Sequence, residues 1–264
     1  MIYKLLSWNI NSIRIREKHL KKIIEIENPD IICLQETKVI NNLFPAKSLK
    51  ELGFKFCYNN GVPSYNGVSI LSKKKSTQTN IINWCNNSDG RHIQATFLGI
   101  NIHNFYIPAG GEDPNPKINQ KFQHKLNFIN EMIDWSQKSK NENKKTIICG
   151  DFNVAPDKDD VWSHKQLQNT VSHTLIEREI LNKLKHSGPW IDVIKDKIKP
   201  DENIYTWWSY RSPDYKKNNK GRRLDHIWVS ADLKKFVVET KILSNTRSWN
   251  RPSDHVPVLI VLKI

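Results

Sequence analysis

The sequence of 264 residues has few cysteines and no long hydrophobic run, and each shortage excludes a class of protein. Its four cysteines are Cys33, Cys57, Cys85 and Cys149. They show no CxxC spacing and no paired histidine nearby, which argues against a zinc ribbon or finger and is typical of the reducing cytoplasm. Cys33 and Cys149 lie in apolar runs and are expected to be small buried residues. The longest apolar run, 256–262, is too short to span a bilayer.

No signal peptide, linker or tandem repeat is evident along the chain. The first residues enter an apolar, strand-like segment directly, with no secretion signal before it. A hydrophobic fraction of 38% with nine tryptophans is sufficient for a packed core, which excludes intrinsic disorder. We therefore expect one domain over residues 1–264, cytoplasmic and monomeric, with no membrane association.

Acidic residues are scarce relative to basic ones, with 27 Asp plus Glu against 41 Lys plus Arg and a net charge of +14. This excess suits a polyanionic partner such as nucleic acid, or an anionic membrane surface. Most of the basic residues are lysines, which codon bias in an AT-rich genome also produces, so the arginines are more informative. Five of the nine arginines lie in the last fifth of the chain: Arg211, Arg222, Arg223, Arg247 and Arg251.

Apolar runs alternate with amphipathic segments, which indicates a layered α/β fold with mixed sheets. Helical spacing of apolar residues and stop signals predict helices over 17–27, 117–135 and 175–186. Segments 138–145 and 215–220 are predicted as polar loops. The predicted strands are 3–8, 31–35, 54–58, 68–71, 92–97, 100–106, 146–149, 224–229, 237–243 and 256–262.

Acidic and amide side chains gather at the ends of the predicted strands. The clusters are Ser7-Trp8-Asn9-Ile10-Asn11, Leu34-Gln35-Glu36-Thr37-Lys38, Gly150-Asp151-Phe152-Asn153, Arg223-Leu224-Asp225-His226 and Ser253-Asp254-His255. Strand ends that meet at one rim of a sheet are where ligands bind in layered α/β folds. Carboxylate and amide oxygens without thiols suit Mg²⁺ or Mn²⁺ rather than zinc.

Each cluster also has a purely structural explanation. The alternatives are turn hydrogen bonds for Asn9 and for residues 151–153, ion pairs for Glu36 with Lys38 and for Asp225 with Arg222 or Arg223, and a hydrogen-bonded core position for His255. Any single cluster would be weak support for a functional site. The presence of all five in one chain favours function.

The chain resembles, essentially from end to end, the exonuclease III family of apurinic/apyrimidinic endonucleases within the endonuclease/exonuclease/phosphatase superfamily. The resemblance rests on Ser7-Trp8-Asn9-Ile10-Asn11, Leu34-Gln35-Glu36-Thr37-Lys38, Tyr106-Ile107-Pro108, Gly150-Asp151-Phe152-Asn153-Val154, Trp207 through Arg211, Arg223-Leu224-Asp225 and Ser253-Asp254-His255-Val256-Pro257. It implies a four-layer α/β sandwich, in which helices flank two packed mixed β-sheets and the active site lies at one rim.

The family resemblance implies a metal-dependent hydrolase that uses Mg²⁺, with Mn²⁺ as a substitute. It makes Glu36 the main metal ligand, supported by Asn9 and Asp254. Asp151 and Asn153 would lie beside the same ion. The resemblance leaves two roles open for Asp151, which either activates the attacking water or protonates the leaving group, while Asn153 holds Asp151 or the phosphate in place.

The resemblance also assigns groups that contact the scissile phosphate. Tyr106 would offer its phenol, and Asp225 would orient His255 so that a charged imidazole meets the phosphate. Without the resemblance, Tyr106 could equally be an aromatic residue packed at the rim. Asn11 stands where some family members have Asp, which leaves the metal site one negative charge poorer.

Substrate choice within the superfamily depends on the segment from Tyr205 to Arg211. By resemblance, Trp207 and Leu224 wall a pocket for an abasic sugar, whereas Trp208 is expected in the core. Phosphate contacts are expected from about half of the five late arginines, namely Arg211, Arg222, Arg223, Arg247 and Arg251, with the first three as the leading candidates and surface ion pairs as the alternative. The acidic pair at 112–113 stands where some family members contact DNA through arginine, so we expect no DNA contact there.

The leading interpretation is a Mg²⁺-dependent DNA-repair phosphodiesterase. It would cut 5′ to abasic sites, leave a 3′-hydroxyl, and trim 3′ ends of double-stranded DNA. A lipid or inositol phosphodiesterase would require exposed apolar membrane loops or a signal sequence, and neither is found. A non-catalytic nucleic-acid-binding module would lack at least one of the five clusters, and all are present.

Overall fold

The computed structural model describes residues 2–139, 145–197, 204–212 and 214–264. The first mixed sheet has six strands, in the spatial order β13 (Val237–Ile242), β14 (Val258–Lys263), β1 (Ile2–Asn9), β2 (Ile31–Gln35), β4 (Val68–Ser72) and β3 (Phe56–Asn60). The second also has six, in the order β5 (Gln78–Asn80), β6 (His92–Phe97), β7 (Ile100–Tyr106), β8 (Thr146–Asp151), β12 (Asp225–Ser230) and β9 (Trp190–Asp192). A short hairpin joins β10 (Trp207–Trp208) to β11 (Gly221–Arg222).

Helices α1 (Ile13–Glu27) and α2 (Ala46–Glu51) cover the outer face of the first sheet, and α3 (Gln120–Ser139) and α5 (Leu175–Ser187) cover that of the second. Shorter helices are α4 (His164–Leu167), α6 (Val193–Lys197) and α7 (Tyr215–Asn218). The pairs β1–β2 and β7–β8 are parallel, and each lies at the centre of its sheet. Parallel neighbours end at the same edge, so this arrangement brings four strand ends toward one rim.

Strand β2 shows how the layers are built, because all five of its residues are buried. Cys33 points into the layer between the sheets, where it packs with residues of β7 and β8. Its neighbours Ile32 and Leu34 point the other way and pack against α1. A strand covered on both faces therefore appears as a continuous apolar run. On the far side, Phe128 of α3 and Leu181 of α5 cover the second sheet, which completes the predicted four-layer sandwich.

Side-chain caps decide the helix boundaries that hydrophobic spacing left approximate. Helix α3 begins at Gln120, three residues later than predicted, because the Asn119 side chain accepts hydrogen bonds from the backbone N–H groups that follow it. Helix α5 begins as predicted, where Thr174 and Glu177 form a capping box. Helix α1 begins at Ile13, four residues earlier than predicted.

Two predicted loops are wrong or fall partly outside the described residues. Segment 215–220 contains α7, because Asp214 accepts a hydrogen bond from the backbone N–H of Lys217 at 3.0 Å and Asn219 ends the helix with a φ of 41°. In segment 138–145, residues 138 and 139 extend α3 and residues 140–144 lie outside the described part of the chain. Within the described residues, no helix is long and apolar enough to cross a bilayer.

A glycine sets the close approach of β7 and β8 directly before Asp151. Gly150 has a φ of 134°, and a Cβ atom there would lie 1.9 Å from the backbone oxygen of Phe105. Any larger residue would push the two strands apart. The rim position of Asp151 therefore depends on the absence of a side chain at the preceding residue.

Two fully buried histidines form a neutral pair on the outer face of the second sheet. The Nδ1 atom of His92 accepts a hydrogen bond from the backbone N–H of Ile82 at 3.1 Å, so its Nε2 carries the hydrogen that faces Nδ1 of His103 at 3.0 Å. Burial lowers the pKa of His103 to about 3 and holds the pKa of His92 well below its ordinary value. Both side chains therefore stay uncharged at neutral pH.

This pair should make the protein acid-sensitive. The unfolded chain protonates a histidine near pH 6.5, whereas folded His103 stays neutral down to about pH 3. Between those values the unfolded state binds more protons, so the free energy of unfolding should fall as the pH falls. We expect His103→Gln to flatten this dependence between pH 7 and 5 in urea unfolding, with His186→Gln, at an exposed histidine of α5, as the matched control. An unchanged slope in His103→Gln would contradict the assignment.

Candidate active site

The carboxyl ends of four central strands meet at one rim. Strands β1 and β2 place Asn9 and Glu36 there, and β7 and β8 place Tyr106 and Asp151. Strand β12 runs antiparallel to β8 and begins at Asp225, directly opposite Asp151. Two packed sheets thus deliver five polar side chains to one small region, as the sequence predicts.

The amide of Asn9 joins the two sheets at this rim. Its buried Nδ2 donates to Oε1 of Glu36 and to Oδ2 of Asp151, both at 2.8 Å. The hydroxyl of Tyr106 donates to the same Glu36 oxygen at 2.9 Å. The amide oxygen of Asn9 accepts from the backbone N–H of Asn11 at 3.1 Å, so the predicted turn role and the site role coexist.

His255 lies between two carboxylates. Its Nδ1 is 2.8 Å from Oδ2 of Asp225, and its Nε2 is 3.6 Å from Oδ2 of Asp151. Burial alone would lower the pKa of His255, but Asp225 and Asp151 outweigh it and raise the pKa to about 10. His255 is therefore an imidazolium, and Asp225 pairs with it rather than with either neighbouring arginine.

Asp151 is a buried carboxyl whose charge is only partly compensated. Burial raises its pKa to about 7, although His255 and the Asn9 amide both favour the ionised form. Asn153 supports the same group, because its backbone N–H donates to Oδ1 at 2.9 Å and its side-chain Nδ2 donates to Oδ2 at 3.1 Å. The predicted turn is thus present, and it orients a carboxyl suited to proton transfer near neutral pH.

A second group of oxygen ligands surrounds the ammonium of Lys38. Its Nζ lies 2.8 Å from Oε2 of Glu36 and 2.7 Å from Oδ1 of Asn11, whose Nδ2 donates to Asp254 at 2.9 Å. Burial alone would raise the pKa values of Glu36 and Asp254, but nearby cations and donors lower both. Two ionised carboxylates with amide oxygens and no thiol fit a hard divalent cation.

Other acidic clusters of the described residues do not compete for this role. Asp151 and Asp225 form a group with His255, whose imidazolium already supplies the positive charge between them. The remaining cluster surrounds Nζ of Lys195 and consists of Asp157, Asp159 and Asp160. Lys195 supplies positive charge to this cluster, and Arg223 adds a second cation at Asp160.

A groove of about 850 Å³ opens beside the polar side chains at the rim. Trp207 and Leu224 line its near wall, and Nε1 of Trp207 donates to Oδ2 of Asp254 at 3.0 Å. This places the predicted pocket wall directly against the acidic group. Trp208 is 2% exposed and belongs to the core, as expected.

The predicted DNA contact of Arg223 is wrong. Arg223 is fully buried, with its guanidinium 2.8 Å from Asp160 and 2.6 Å from Asp192. Arg247 is also buried, with its guanidinium near the rings of Tyr210 and Tyr215. These side chains hold β12 and the last loops in place, and neither reaches the surface.

Two other predicted arginines line the groove, whereas Arg251 is exposed and does not line it. Arg222 lines its wall, and Arg211 is 91% exposed at its mouth, 3.9 Å from Glu112. Sequence reasoning missed Trp162 and Lys220, which line the same groove. Both lie in polar segments with no recognisable pattern, so only their tertiary position identifies them.

This combination of residues can hydrolyse a phosphate ester. An imidazolium and a phenol offer hydrogen-bond donors to phosphoryl oxygens, and a carboxyl of near-neutral pKa can move a proton. Residues 6–255 match the Endonuclease/Exonuclease/phosphatase family, and the chain belongs to that family.

Individual relatives support the same assignment over nearly the whole chain. An exodeoxyribonuclease III from Haemophilus influenzae is 28% identical and covers 97% of this chain and 98% of its own. The solved structure of an AP endonuclease from Archaeoglobus fulgidus has a TM-score of 0.92 at 31% identity and covers 99% of this chain and 100% of its own. A 3′ phosphatase from Neisseria, solved with a product DNA hairpin, has a TM-score of 0.91 at 27% identity with the same coverage. The predicted family and fold are therefore confirmed.

Replacing the carboxylate beside His255 should lower the pKa of that imidazole. Because Asp225 is the strongest group that raises it, we expect Asp225→Asn to move the pKa of His255 from about 10 toward the ordinary value of about 6.5. Histidine NMR titration of the metal-free protein measures this, with Asp159→Asn, at an exposed carboxylate, as control. A pKa that stays near 10 in Asp225→Asn would show that another group fixes the charge.

Removing the buried cation between β9, β12 and the segment around Asp160 should destabilise the fold. Arg223→Gln leaves Asp192 without its arginine counter-charge and Asp160 with Lys195 alone, for which we expect a loss of about 3–5 kcal/mol in the free energy of unfolding. Urea unfolding measures it, with Arg211→Gln as the exposed control. A loss below about 1 kcal/mol, the level of a surface ion pair, would contradict the structural role.

Proposed function

We propose that this protein is a Mg²⁺-dependent DNA-repair phosphodiesterase that incises DNA 5′ to abasic sites, leaves a 3′-hydroxyl and trims 3′ ends of double-stranded DNA. The observation that carries the proposal is the meeting of the Asp225–His255 pair with Asp151 at the head of a groove whose walls are aromatic and basic. The predicted exonuclease III type of DNA hydrolase agrees with the names of its relatives, which include an exodeoxyribonuclease III and an AP endonuclease.

In this proposal the phosphate binds against two donors. The imidazolium of His255 and the phenol of Tyr106 face the developing charge on its oxygens, while the side-chain amide of Asn153 donates to Asp151 and to the backbone oxygen of Ile107. Asp151 moves the proton, either from the attacking water or to the departing 3′ oxygen. Its partners Asn9 and Asn153 hold its oxygens in place for either role.

The metal site of the proposal is centred on Glu36 and Asp254. A bound Mg²⁺, or Mn²⁺ as its substitute, would supply Lewis-acid polarisation of the phosphate. Lys38 holds positive charge at Glu36, so its ammonium would give way as a cation binds. The amide nitrogen of Asn9 donates to Glu36 and to Asp151, so Asn9 orients the Glu36 carboxylate of this site. Metal contacts from Asp151 and Asn153 remain predictions.

The substrate of the proposal is double-stranded DNA with abasic sites or 3′ ends. Trp207 and Leu224 would contact the sugar attached to the scissile phosphate, and Arg211 and Arg222 would contact the backbone. We propose that the enzyme acts as a monomer, as one domain over residues 1–264. We also propose a cytoplasmic location, which accords with four free cysteines.

An incision assay tests the function. A duplex with one tetrahydrofuran abasic analogue and a blunt undamaged duplex are incubated with Mg²⁺, Mn²⁺ or EDTA. We expect a metal-dependent cut 5′ to the analogue and slower loss of 3′ nucleotides from the intact duplex. No incision with either metal would overturn the proposal.

A single substitution tests the role of Asp151. Because this carboxyl is the proton-transfer group, we expect Asp151→Asn to slow incision by about 10²–10⁴-fold. Its affinity for the abasic duplex, measured by fluorescence anisotropy, should stay within a few-fold of wild type. Asp159→Asn makes the same chemical change at a 71% exposed carboxylate and is the matched control. Normal cleavage by Asp151→Asn would show that its assigned role is wrong.

A further inference from the structure

Two cations on tryptophan rings line the groove beyond the predicted sugar pocket. The guanidinium of Arg222 lies 5.2 Å from the ring centroid of Trp207, and Nζ of Lys220 lies 4.6 Å from that of Trp162. All four side chains line the same groove. We call Arg222 and Lys220, with the rings behind them, the cationic wall.

Backbone pairing holds the two ring–cation pairs side by side. Arg222 of β11 pairs with Trp207 of β10 on one side and bridges Val161 on the other. The backbone N–H of Trp162 donates to the oxygen of Gly221 at 3.1 Å. Three chain segments are thus fixed at the wall, so its charges are placed by the fold rather than by loose side chains.

Arg222 and its neighbour Arg223 have opposite environments. The Arg223 guanidinium is balanced by Asp160 and Asp192 in the core. Arg222 forms no ion pair with a described carboxylate, and its hydrogen bonds there use Nη1 alone, to the backbone oxygen of Val171 and the hydroxyl of Ser172. Its Nε and Nη2 hydrogens therefore remain available to a ligand in the groove.

The charge of Arg222 is poorly compensated by the protein. Burial lowers the pKa of its guanidinium, against a weaker opposing influence of Glu177, which is already ion-paired with Lys125. The acidic residues that line the groove lie elsewhere: Glu36 and Asp254 at the catalytic head, and Glu112 at the mouth, 94% exposed. Arg222 is thus a half-buried cation without a carboxylate partner among the described residues, a condition that favours binding of an anion.

The indole of Trp207 fixes the position of the cationic wall relative to the polar side chains at the rim. Its Nε1 donates to Asp254, while its ring face holds Arg222. The indole of Trp207 thus lies between Arg222 of the cationic wall and Asp254 at the rim. A DNA strand whose sugar, attached to the scissile phosphate, contacts Trp207 and Leu224 would bring its next phosphate to Arg222.

We propose that Arg222 and Lys220 bind the phosphate on the 3′ side of the nucleotide whose sugar contacts Trp207 and Leu224. The inference rests on the proposed function, because it uses the proposed sugar pocket. It names a substrate class: strands that carry a phosphate beyond the sugar, either as an internal diester or as a terminal monoester, bind better than strands that end there in a 3′-hydroxyl. The guanidinium offers a planar pair of donors to two phosphate oxygens, and Lys220 adds a second positive charge.

Three duplexes that differ at one phosphate test the proposal. Each carries the tetrahydrofuran analogue, either inside the strand, at the 3′ end with a terminal phosphate, or at the 3′ end with a hydroxyl. Fluorescence anisotropy in EDTA measures affinity without cleavage. We expect wild type to bind the first two more tightly, and Arg222→Gln to weaken both by about 10-fold, as for one charge-assisted hydrogen-bonded contact. Its affinity for the hydroxyl-ended duplex should change by less than two-fold.

Matched variants separate the subsite from general electrostatics. Lys263→Gln removes one positive charge at the opposite end of the first sheet and should leave the ranking of the three duplexes unchanged. Lys220→Gln should lower the same two affinities as Arg222→Gln, by a smaller factor. Circular-dichroism melting confirms that each variant is folded.

The outcomes distinguish this inference from the proposed function. Equal weakening of all three duplexes by Arg222→Gln, or no preference in wild type, overturns the subsite even if incision is normal. A loss confined to the internal diester shows that the wall reads the continuing strand and overturns the inclusion of terminal phosphates. Absence of metal-dependent incision overturns the proposed function, and the binding comparison still decides whether the wall recognises phosphate.

Discussion

The site depends on one buried amide that spans the interface between two sheets. Asn9 ends a strand of the first sheet, and its Nδ2 donates both to Glu36 of that sheet and to Asp151 of the second. The two proposed functions of the rim, cation binding and proton transfer, therefore share one donor. Because that donor is fully enclosed, it has no hydrogen bonds to water. It is left unsatisfied unless both carboxylates are in place. The packing of the two sheets and the geometry of the site therefore depend on each other.

Charge is distributed unevenly around Asn9 and the rim. A chain with a net charge of +14 gathers ionised or ionisable carboxylates at a single rim and balances them with His255 and Lys38. Of the arginines near the end of the chain, Arg223 and Arg247 are buried in the core, whereas Arg222 and Arg211 line the groove. The positive charge that matters for a polyanion is therefore a small, oriented subset of the total.

Much of the architecture could be predicted because strands buried on both faces leave continuous apolar runs, as in β2 and β14. Boundaries set by side-chain caps were less accessible, since the cap at Asn119 depends on hydrogen bonds rather than on hydrophobic spacing. The helix at 215–218 was missed for the same reason. Strand-end clusters identified Asn9, Glu36 and Asp151, because short motifs at strand ends can be recognised from the sequence without knowledge of tertiary contacts.

The sequence by itself determined the layered class, the family and the side chains that meet at the rim. Tertiary structure alone decided how neighbouring residues of the same type divide. Arg222 and Arg223 are adjacent, yet alternation along the β11–β12 segment turns one toward the groove and the other toward Asp160 and Asp192. Trp162 and Lys220 are 58 positions apart and meet only through the pairing of distant segments. Composition fixes which charges exist, whereas their burial and partners depend on contacts between residues far apart in the chain.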